Sequence, residues 1–179
     1  MVHVYLADGF EPIEGLCPVD LMRRAGIEVV TVSINETTAV KAAHGMTVIA
    51  DTTAAELGSD IPELVMLPGG MPGTLNLGAC KAVTDAVMAA WEAGSFVAAI
   101  CAAPSVLGAL GLTAGREAVC YPGFEDKLTG ARLSEAHVVR DGKLITAIAM
   151  GASVEFGLAL IEALRGKSCA DKIKESVFA

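Results

Sequence analysis

Cys101 is the residue whose surroundings are most typical of a reactive nucleophile. It directly follows the apolar run 96–100, and Pro104 is suited to the first turn of a helix. A nucleophile at a sharp turn from strand to helix presents its side chain above the sheet. The helix N-terminus adds partial positive charge, which stabilises a thiolate, and N–H groups that can bind an oxyanion. The alternative is that Cys101 is simply small enough for a crowded turn.

A carboxyl group and a glycine-rich loop are two further candidates. Glu14 lies at the start of a predicted helix, on a side whose neighbours are apolar. A half-buried carboxyl group has a raised pKa and can act as acid or base near neutrality. Glu11, by contrast, is explained by the helix dipole. Pro68-Gly69-Gly70 ends an apolar strand, where backbone N–H groups can approach a ligand closely, although an ordinary tight turn would look the same.

The histidines and cysteines show no metal-ligating pattern. His3, His44 and His137 lie far apart in the sequence, and no Cys-x-x-Cys pair occurs. The sequence therefore predicts no metal site, and it predicts structural roles for His3 and His137. His44, at a predicted loop tip, is placed to reach a site or a subunit interface. The odd number of cysteines predicts free thiols in a reducing compartment. The five are Cys17, Cys80, Cys101, Cys120 and Cys169.

The elements that must position these residues alternate between strands and helices. Continuous apolar strands between helices favour a mostly parallel sheet covered by helices on both faces. Sites in such sheets lie at the carboxyl ends of the strands. Segments 8–14, 68–73 and 101–104 all fall there. The predicted strands are 2–7, 27–34, 64–67 and 96–100, the predicted hairpins are 38–50 and 138–146, and the predicted helices are 12–25, 81–93, 104–110, 154–164 and 170–175.

Length and charge restrict the class of protein. The 179 residues fit one domain covering 1–179. Thirteen Lys and Arg against 21 Asp and Glu give a net charge of −8, which disfavours nucleic acid as a partner. The uncharged stretch 93–115 is long enough to cross a bilayer, but Pro104, Gly108 and Gly111 interrupt it, so we predict a buried strand and helix instead. The short N-terminal apolar run has no basic residues before it, which predicts no signal peptide and a cytoplasmic protein without a membrane partner.

Taken together, these motifs resemble the ThiJ/PfpI superfamily in its DJ-1 branch. The resemblance covers nearly the whole chain and implies a flavodoxin-like α/β fold. That fold is a three-layer sandwich with a mostly parallel central sheet and a nucleophile elbow. The resemblance also implies a homodimer, and the sequence shows no motif for a cofactor. The matching stretches are 8–14, 18–26, 67–70, 98–104, 126–127 and 153–157.

The resemblance also implies roles for individual residues. Cys101 matches the reactive, easily oxidised cysteine of the family. Glu14 matches the acid whose carboxyl group forms a hydrogen bond with that sulfur. Gly70 and Ala102 match the backbone donors around it.

Accessory positions and departures from the pattern are equally informative. Arg24 and His44 occupy places where relatives have basic residues that approach the site, in some cases from the partner subunit. Relatives with glyoxalase or deglycase activity often carry a histidine where this chain has Tyr121, and a phenol with a pKa near ~10 is a poor base at pH 7. Met150 replaces a proline of close relatives.

Two functions follow as expectations. The first is a cofactor-free glyoxalase acting on methylglyoxal or glyoxal, or on early glycation adducts as a deglycase. Cys101 would add to the aldehyde and Glu14 would move a proton between adjacent carbons. Because an ionised Glu14 would raise the pKa of the thiol, this scheme predicts a Cys101 thiolate beside a protonated Glu14 at neutral pH.

The second expectation is a redox sensor or protective protein with little turnover, in which Cys101 oxidises to a sulfinate. A peptidase of the PfpI type is disfavoured. That branch has a histidine next to the nucleophile, whereas Ala102 follows Cys101 here.

Overall fold

A computed structural model describes residues 1–179 and shows an α/β protein. The strands are β1 (Val2–Leu6), β2 (Val29–Ser33), β3 (Ala39–Lys41), β4 (Thr47–Ile49), β5 (Thr52–Thr53), β6 (Leu64–Leu67), β7 (Phe96–Ile100), β8 (Glu117–Ala118), β9 (Arg132–Leu133), β10 (Val138–Asp141) and β11 (Leu144–Ala147). The helices are α1 (Pro12–Arg24), α2 (Gly73–Ala79), α3 (Lys81–Glu92), α4 (Pro104–Ala109), α5 (Ser153–Arg165) and α6 (Lys167–Ser176). Short 3-10 turns cover Ala43–Gly45, Glu125–Lys127 and Met150–Ala152.

Seven strands form the central sheet, in the order β10-β11-β7-β6-β1-β2-β5. Every neighbouring pair is parallel except β10 with β11, which form the predicted antiparallel hairpin. If β1, β2, β6, β7 and β11 are counted in chain order, their spatial order is 2-1-3-4-5. This is the flavodoxin-like order, and the predicted fold class is confirmed. The strand order reverses between β1 and β6, so the carboxyl ends of these strands mark the expected site.

Helices cover both faces of the sheet because the central strands are apolar on both sides. All five residues of β1 are buried, and successive side chains point to opposite faces. One face packs against α1, α5 and α6, and the other against α2, α3 and α4. Gly157 brings α5 close to α1: a Cβ there would lie 2.7 Å from Cδ1 of Leu21 and 3.2 Å from Cα of Pro18. The first turn of α1 is thereby fixed above the end of β1.

Most predicted elements are present, with ends shifted by a few residues. The helix predicted over 170–175 is longer in the structure, as Lys167–Ser176. The second helix, Gly73–Ala79, was not predicted, because it contains two glycines and no capping side chain. The uncharged stretch 93–115 divides into β7, α4 and turns, as expected. No helix has the length and apolar composition that a membrane crossing requires.

Candidate active site

Cys101 occupies the turn between β7 and α4 with a positive φ of 65°. A residue with a Cβ avoids this region, so the conformation must be held by its surroundings, at a cost on the order of 1 kcal/mol or more. Two backbone hydrogen bonds hold it: the N–H of Cys101 donates to the carbonyl of Ala147 at 2.9 Å, and the carbonyl of Cys101 accepts from the N–H of Tyr121 at 2.8 Å. The half-buried thiol therefore sits on a fixed elbow at the carboxyl edge of the sheet.

Glu14 lies in the first turn of α1 and is only 1% exposed. Its backbone N–H donates to the carboxylate of Glu11 at 2.7 Å, so Glu11 caps the helix. The Glu14 carboxyl group accepts a hydrogen bond from the N–H of Gly69 at 3.1 Å. The N–H of Met150 and the thiol of Cys101 also lie close enough to this carboxyl group to lower its pKa. The structure thus brings the predicted acid and the predicted nucleophile into direct contact.

Gly69 makes this contact possible. A Cβ at position 69 would lie 2.6 Å from Oε2 of Glu14 and 2.7 Å from Cβ of Cys101, closer than real Cβ atoms approach. The sequence analysis placed Gly69 in the glycine loop without giving it a role of its own. Met150 was noted only as a departure, yet its N–H contacts the Glu14 carboxyl group. The proximity of both to Glu14 depends on long-range packing that no local pattern contains.

The backbone N–H groups of Ala102 and Gly70 both lie close enough to the Cys101 sulfur to lower the pKa of the thiol. Gly70 has a φ of +90°, and a Cβ there would lie 2.4 Å from the backbone nitrogen of Glu11. Only glycine fits this position without a shift of the backbone. The two N–H groups come from the ends of different strands and surround the sulfur with donors. They are therefore suited to stabilise negative charge on the sulfur or on an oxygen bound close to it.

Burial raises the pKa of both partners in the pair. The pKa of Glu14 is raised to about 7, mainly because the carboxylate loses solvation, while its hydrogen bonds act in the opposite direction. The pKa of the Cys101 thiol is raised to about 12, first by burial and then by the adjacent Glu14 carboxylate. The N–H groups of Ala102 and Gly70 offset only part of this increase. The two groups titrate as a coupled pair.

Burial and the adjacent carboxylate therefore act against the Cys101 thiolate expected at neutral pH, which stays a prediction that thiolate absorbance measured against pH would test. The predicted rise in the pKa of Glu14 is present, but near pH 7 it leaves much of this carboxyl group ionised. A second negative charge on the neighbouring sulfur is then unfavourable in a site shielded from water. Above pH 7 the pair consists of a neutral thiol beside a carboxylate. Glu14 is thus placed to take the proton of Cys101 during a reaction.

Of the three accessory candidates, only Tyr121 lies beside the elbow. Its backbone N–H binds the carbonyl of Cys101, while its side chain is 47% exposed. Arg24 is at the far end of α1, about 15 Å along the helix axis from Glu14. Its exposed guanidinium group donates to Asp20 at 2.7 Å. Within one chain, the structure therefore does not bring Arg24 to the thiol.

His44 is exposed at the tip of the β3–β4 hairpin, with a φ of 61°. The hairpin is attached to the loop before α1 by two hydrogen bonds between backbone groups and by a third from the N–H of Lys41 to the side chain of Asp8. Lys41 accepts from the N–H of Gly9 at 2.7 Å, and Phe10 accepts from the N–H of Ala43 at 2.8 Å. The hairpin is thus fixed near the start of α1, but the imidazole of His44 faces solvent. No group of three or more His, Cys, Asp or Glu side chains is arranged to hold a metal ion.

Known proteins similar to this chain identify its family. The sequence profile of the DJ-1/PfpI family matches residues 1–163. Protein dj-1beta of Drosophila melanogaster is 36% identical over 174 residues, which is 96% of this chain and 91% of that protein. The glutathione-independent glyoxalase DJR-1.2 of Caenorhabditis elegans is 30% identical over 158 residues, which is 87% of this chain and 83% of that protein. Protein DJ-1 homolog A of Arabidopsis thaliana is 37% identical over 175 residues, but the chain spans only 45% of its length.

Solved structures show the same fold. Drosophila melanogaster DJ-1beta superposes with a TM-score of 0.95 at 34% identity, covering 99% of this chain and 97% of that one. The oxidized form of Toxoplasma gondii DJ-1 gives a TM-score of 0.95 at 35% identity, with the same coverage.

Proposed function

The chain belongs to the DJ-1/PfpI family, and we propose that it is a stress-response enzyme that uses Cys101 to convert methylglyoxal or glyoxal to a hydroxy acid without a cofactor. The observation that carries this proposal is the contact between the Cys101 thiol and the Glu14 carboxyl group, with the N–H groups of Gly70 and Ala102 beside the sulfur. A nucleophile, a base and oxyanion donors are what addition to an aldehyde requires. The worm relative named as a glutathione-independent glyoxalase supports the choice of substrate.

The proposed reaction needs no external oxidant. Ionised Glu14 takes the thiol proton as the sulfur of Cys101 adds to the aldehyde carbon, which gives a hemithioacetal. Glu14 then moves a proton from this carbon to its neighbour, so that one carbon is oxidised and the other reduced within the same molecule. The product is a thioester of Cys101. Water cleaves the thioester, releasing lactate from methylglyoxal, or glycolate from glyoxal, and restoring the thiol.

The same addition chemistry extends to early glycation adducts, which would make the protein a deglycase. We further propose that it works in the cytoplasm, since its five cysteines are all free thiols.

The test is lactate formation from methylglyoxal in the absence of glutathione. We expect lactate from the wild type, none above background from Cys101→Ser, and a loss of about 10²-fold or more from Glu14→Gln. Cys169→Ser is the matched control, because Cys169 is also a half-buried free thiol but lies on α6, away from the pair. Lactate must be measured rather than methylglyoxal consumption, because exposed side chains also react with the aldehyde. Equal lactate from the wild type and Cys101→Ser would refute the proposal.

A redox function is the second candidate, and the donors around the sulfur favour it. The N–H groups that lie beside the sulfur would also bind the oxygens of a sulfinate. Hydrogen peroxide would supply one oxygen atom to the thiol and release water, and a second peroxide would complete the sulfinate. The oxidized Toxoplasma gondii DJ-1 is a similar structure. Peptide mass analysis after graded peroxide treatment tests this: Cys101 must oxidise before the other four cysteines, and the reverse order would exclude the function.

We also propose that the protein is a homodimer formed around the β3–β4 hairpin and α1. Three large apolar side chains are exposed in this region: Ile49 at 68%, Ile13 at 50% and Met46 at 47%. Hydrogen bonds from the hairpin to the loop before α1 keep them on one part of the surface. Burying such side chains against a second copy removes apolar area from water. Light scattering should show a dimer that dissociates in Ile49→Asp but not in Leu133→Asp, which changes an apolar residue of β9 that is 55% exposed. A monomeric wild type would contradict the proposal.

A further inference from the structure

Asp8 is a charged residue close to the active site that the proposed reaction does not use. It lies at the carboxyl end of β1, two residues beyond the strand. One oxygen of its side chain, Oδ1, accepts two hydrogen bonds, from Nδ2 of Asn35 at 2.8 Å and from the backbone N–H of Lys41 at 2.9 Å. The bond from Asn35, and then that from Lys41, lower the pKa of Asp8, so it is a carboxylate at neutral pH. Asp8 thus ties the end of β1 to β3 and to the loop before it.

The main chain at positions 8 and 9 is held from two further directions. The carbonyl of Asp8 accepts a hydrogen bond from Nδ2 of Asn76 in α2 at 2.9 Å. The N–H of Gly9 donates to the carbonyl of Lys41 at 2.7 Å. A Cβ on Gly9 would lie 2.4 Å from Cδ of Pro72, so the main chain here packs directly against the residue before α2. These contacts fix positions 8 and 9 between the β3–β4 hairpin and α2.

The segment 9–11 in turn supports the glycine loop that carries an oxyanion donor. The N–H of Glu11 donates to the carbonyl of Gly69 at 2.9 Å. A Cβ on Gly70 would lie 2.4 Å from the backbone nitrogen of Glu11 and 2.6 Å from the carbonyl oxygen of Gly9. The two stretches of main chain are therefore in close contact. A shift of the segment 9–11 must be transmitted to the N–H of Gly70, which lies beside the reactive sulfur.

We propose that Asp8 is a positioning residue, whose carboxylate acts through Gly9 and the adjoining main chain to hold the N–H of Gly70 beside the Cys101 sulfur. The side chain of Asp8 itself touches neither the thiol nor the substrate. A carboxylate is suited to this role because one of its oxygens can accept two N–H groups, and bonds to a charged acceptor are stronger than bonds to a neutral one. The effect on turnover rests on the proposed function, whereas the effect on the sulfur does not.

Two substitutions at position 8 separate the acceptor from the charge. Asp8→Ala removes the acceptor, whereas Asp8→Asn keeps an oxygen that can occupy the place of Oδ1. In lactate formation from methylglyoxal, Asp8→Ala is expected to lower kcat by about tenfold with KM within about twofold, because a misplaced donor stabilises the oxyanion less. Asp8→Asn should stay within about threefold of the wild type. Equal losses of kcat in the two variants would overturn the proposal.

Alkylation of Cys101 by iodoacetamide at pH 8 tests the same role without turnover. The N–H of Gly70 stabilises negative charge on the sulfur. The alkylation rate is therefore expected to fall by about threefold or more in Asp8→Ala and to recover in Asp8→Asn. A wild type that forms no lactate would refute the proposed function only. An alkylation rate that Asp8→Ala leaves unchanged would overturn the role of Asp8.

Two further variants distinguish positioning from a loss of stability. Asn35→Ala removes one donor and leaves Asp8 in place, so kcat should fall here too, and the double variant should lose no more than Asp8→Ala alone. Asp51→Ala is the matched control. Asp51 accepts hydrogen bonds from the N–H and hydroxyl of Thr31 and from Arg23, but at the other end of α1. It should lower the thermal unfolding temperature and leave kcat unchanged. An equal fall in kcat in Asp51→Ala would overturn the proposal.

Discussion

The Glu14 carboxyl group and the Cys101 thiol lie side by side although one belongs to α1 and the other to the turn after β7. The sheet order explains the contact. β6 lies between β1 and β7, and the loop after β6 passes between the two side chains at Gly69. The pair therefore exists only because the middle residue has no side chain. Its chemistry is set by burial, which raises the pKa of the acid and of the thiol together.

Gly69→Ala is expected to separate the pair while leaving the fold intact. The added methyl group would lie 2.6 Å from Oε2 of Glu14, so the carboxyl group or the elbow must shift. A displacement of this kind can reduce a reaction by about 10²-fold. Lactate formation that depends on Cys101 measures the effect, and thermal unfolding reports on the fold. Gly58→Ala is the control, since a Cβ there meets nothing within 4 Å. Equal activity of the two variants would show that the contact is not needed.

The reactivity of Cys101 should depend on pH through Glu14 rather than through the thiol itself. As the pH rises through about 7, Glu14 ionises and becomes able to accept the thiol proton. The alkylation rate of Cys101 by iodoacetamide, followed by peptide mass analysis, is therefore expected to rise with a midpoint near 7. In Glu14→Gln this rise disappears, and reactivity follows the thiol's own pKa, which falls below about 12 once the carboxylate is removed. The same midpoint in both proteins would contradict this account.

The free energy of unfolding should also depend on pH through the ionisation of Glu14. The pKa of Glu14 rises from 4.5 to about 7 on folding, so the folded state binds this proton more tightly. The resulting stabilisation is complete below pH 4.5 and is lost as the pH rises through about 7. At about 1.4 kcal/mol for each pH unit between the two values, the loss is at most about 3.5 kcal/mol. Urea unfolding of wild type and Glu14→Gln across pH 4–8 measures it. The difference between the unfolding free energies of the two proteins should change over this pH interval. Parallel plots of unfolding free energy against pH would exclude a contribution from Glu14.

The sequence placed the candidate nucleophile at a turn from strand to helix, but it could not show how far burial shifts the pKa values of Cys101 and Glu14. The elbow at Cys101 follows from a strand that meets a proline-initiated helix without a spacer, a local pattern. The pKa values are not local, because they depend on how deeply the end of α1 is buried against the elbow. The role of Gly69 likewise could not be predicted from the local sequence. A glycine loop is visible in the sequence, but the close approach of Glu14 and Cys101 to that glycine is visible only in the fold.

The strands that the sequence did not predict are too short to show a pattern of apolar and polar residues. The two-residue strands β5, β8 and β9 are too short to show a period. The accessory candidates depended on the family resemblance, and within one chain only Tyr121 is near the thiol. Arg24 and His44 remain predictions about an assembly of two chains.

The contribution of Tyr121 to the reaction can be tested by substitution. Its side chain is 47% exposed beside the elbow, at the position where the family resemblance implies a histidine in active relatives. A phenol is a much weaker base than an imidazole at pH 7. Tyr121→His is therefore expected to raise the kcat for lactate formation by about tenfold, and Tyr121→Phe to leave it within about twofold. Steady-state kinetics of the wild type and both variants at pH 7 measures these changes in kcat. A fall in kcat in Tyr121→Phe would show instead that the phenol hydroxyl itself takes part in the reaction, and that this chain uses tyrosine in place of histidine.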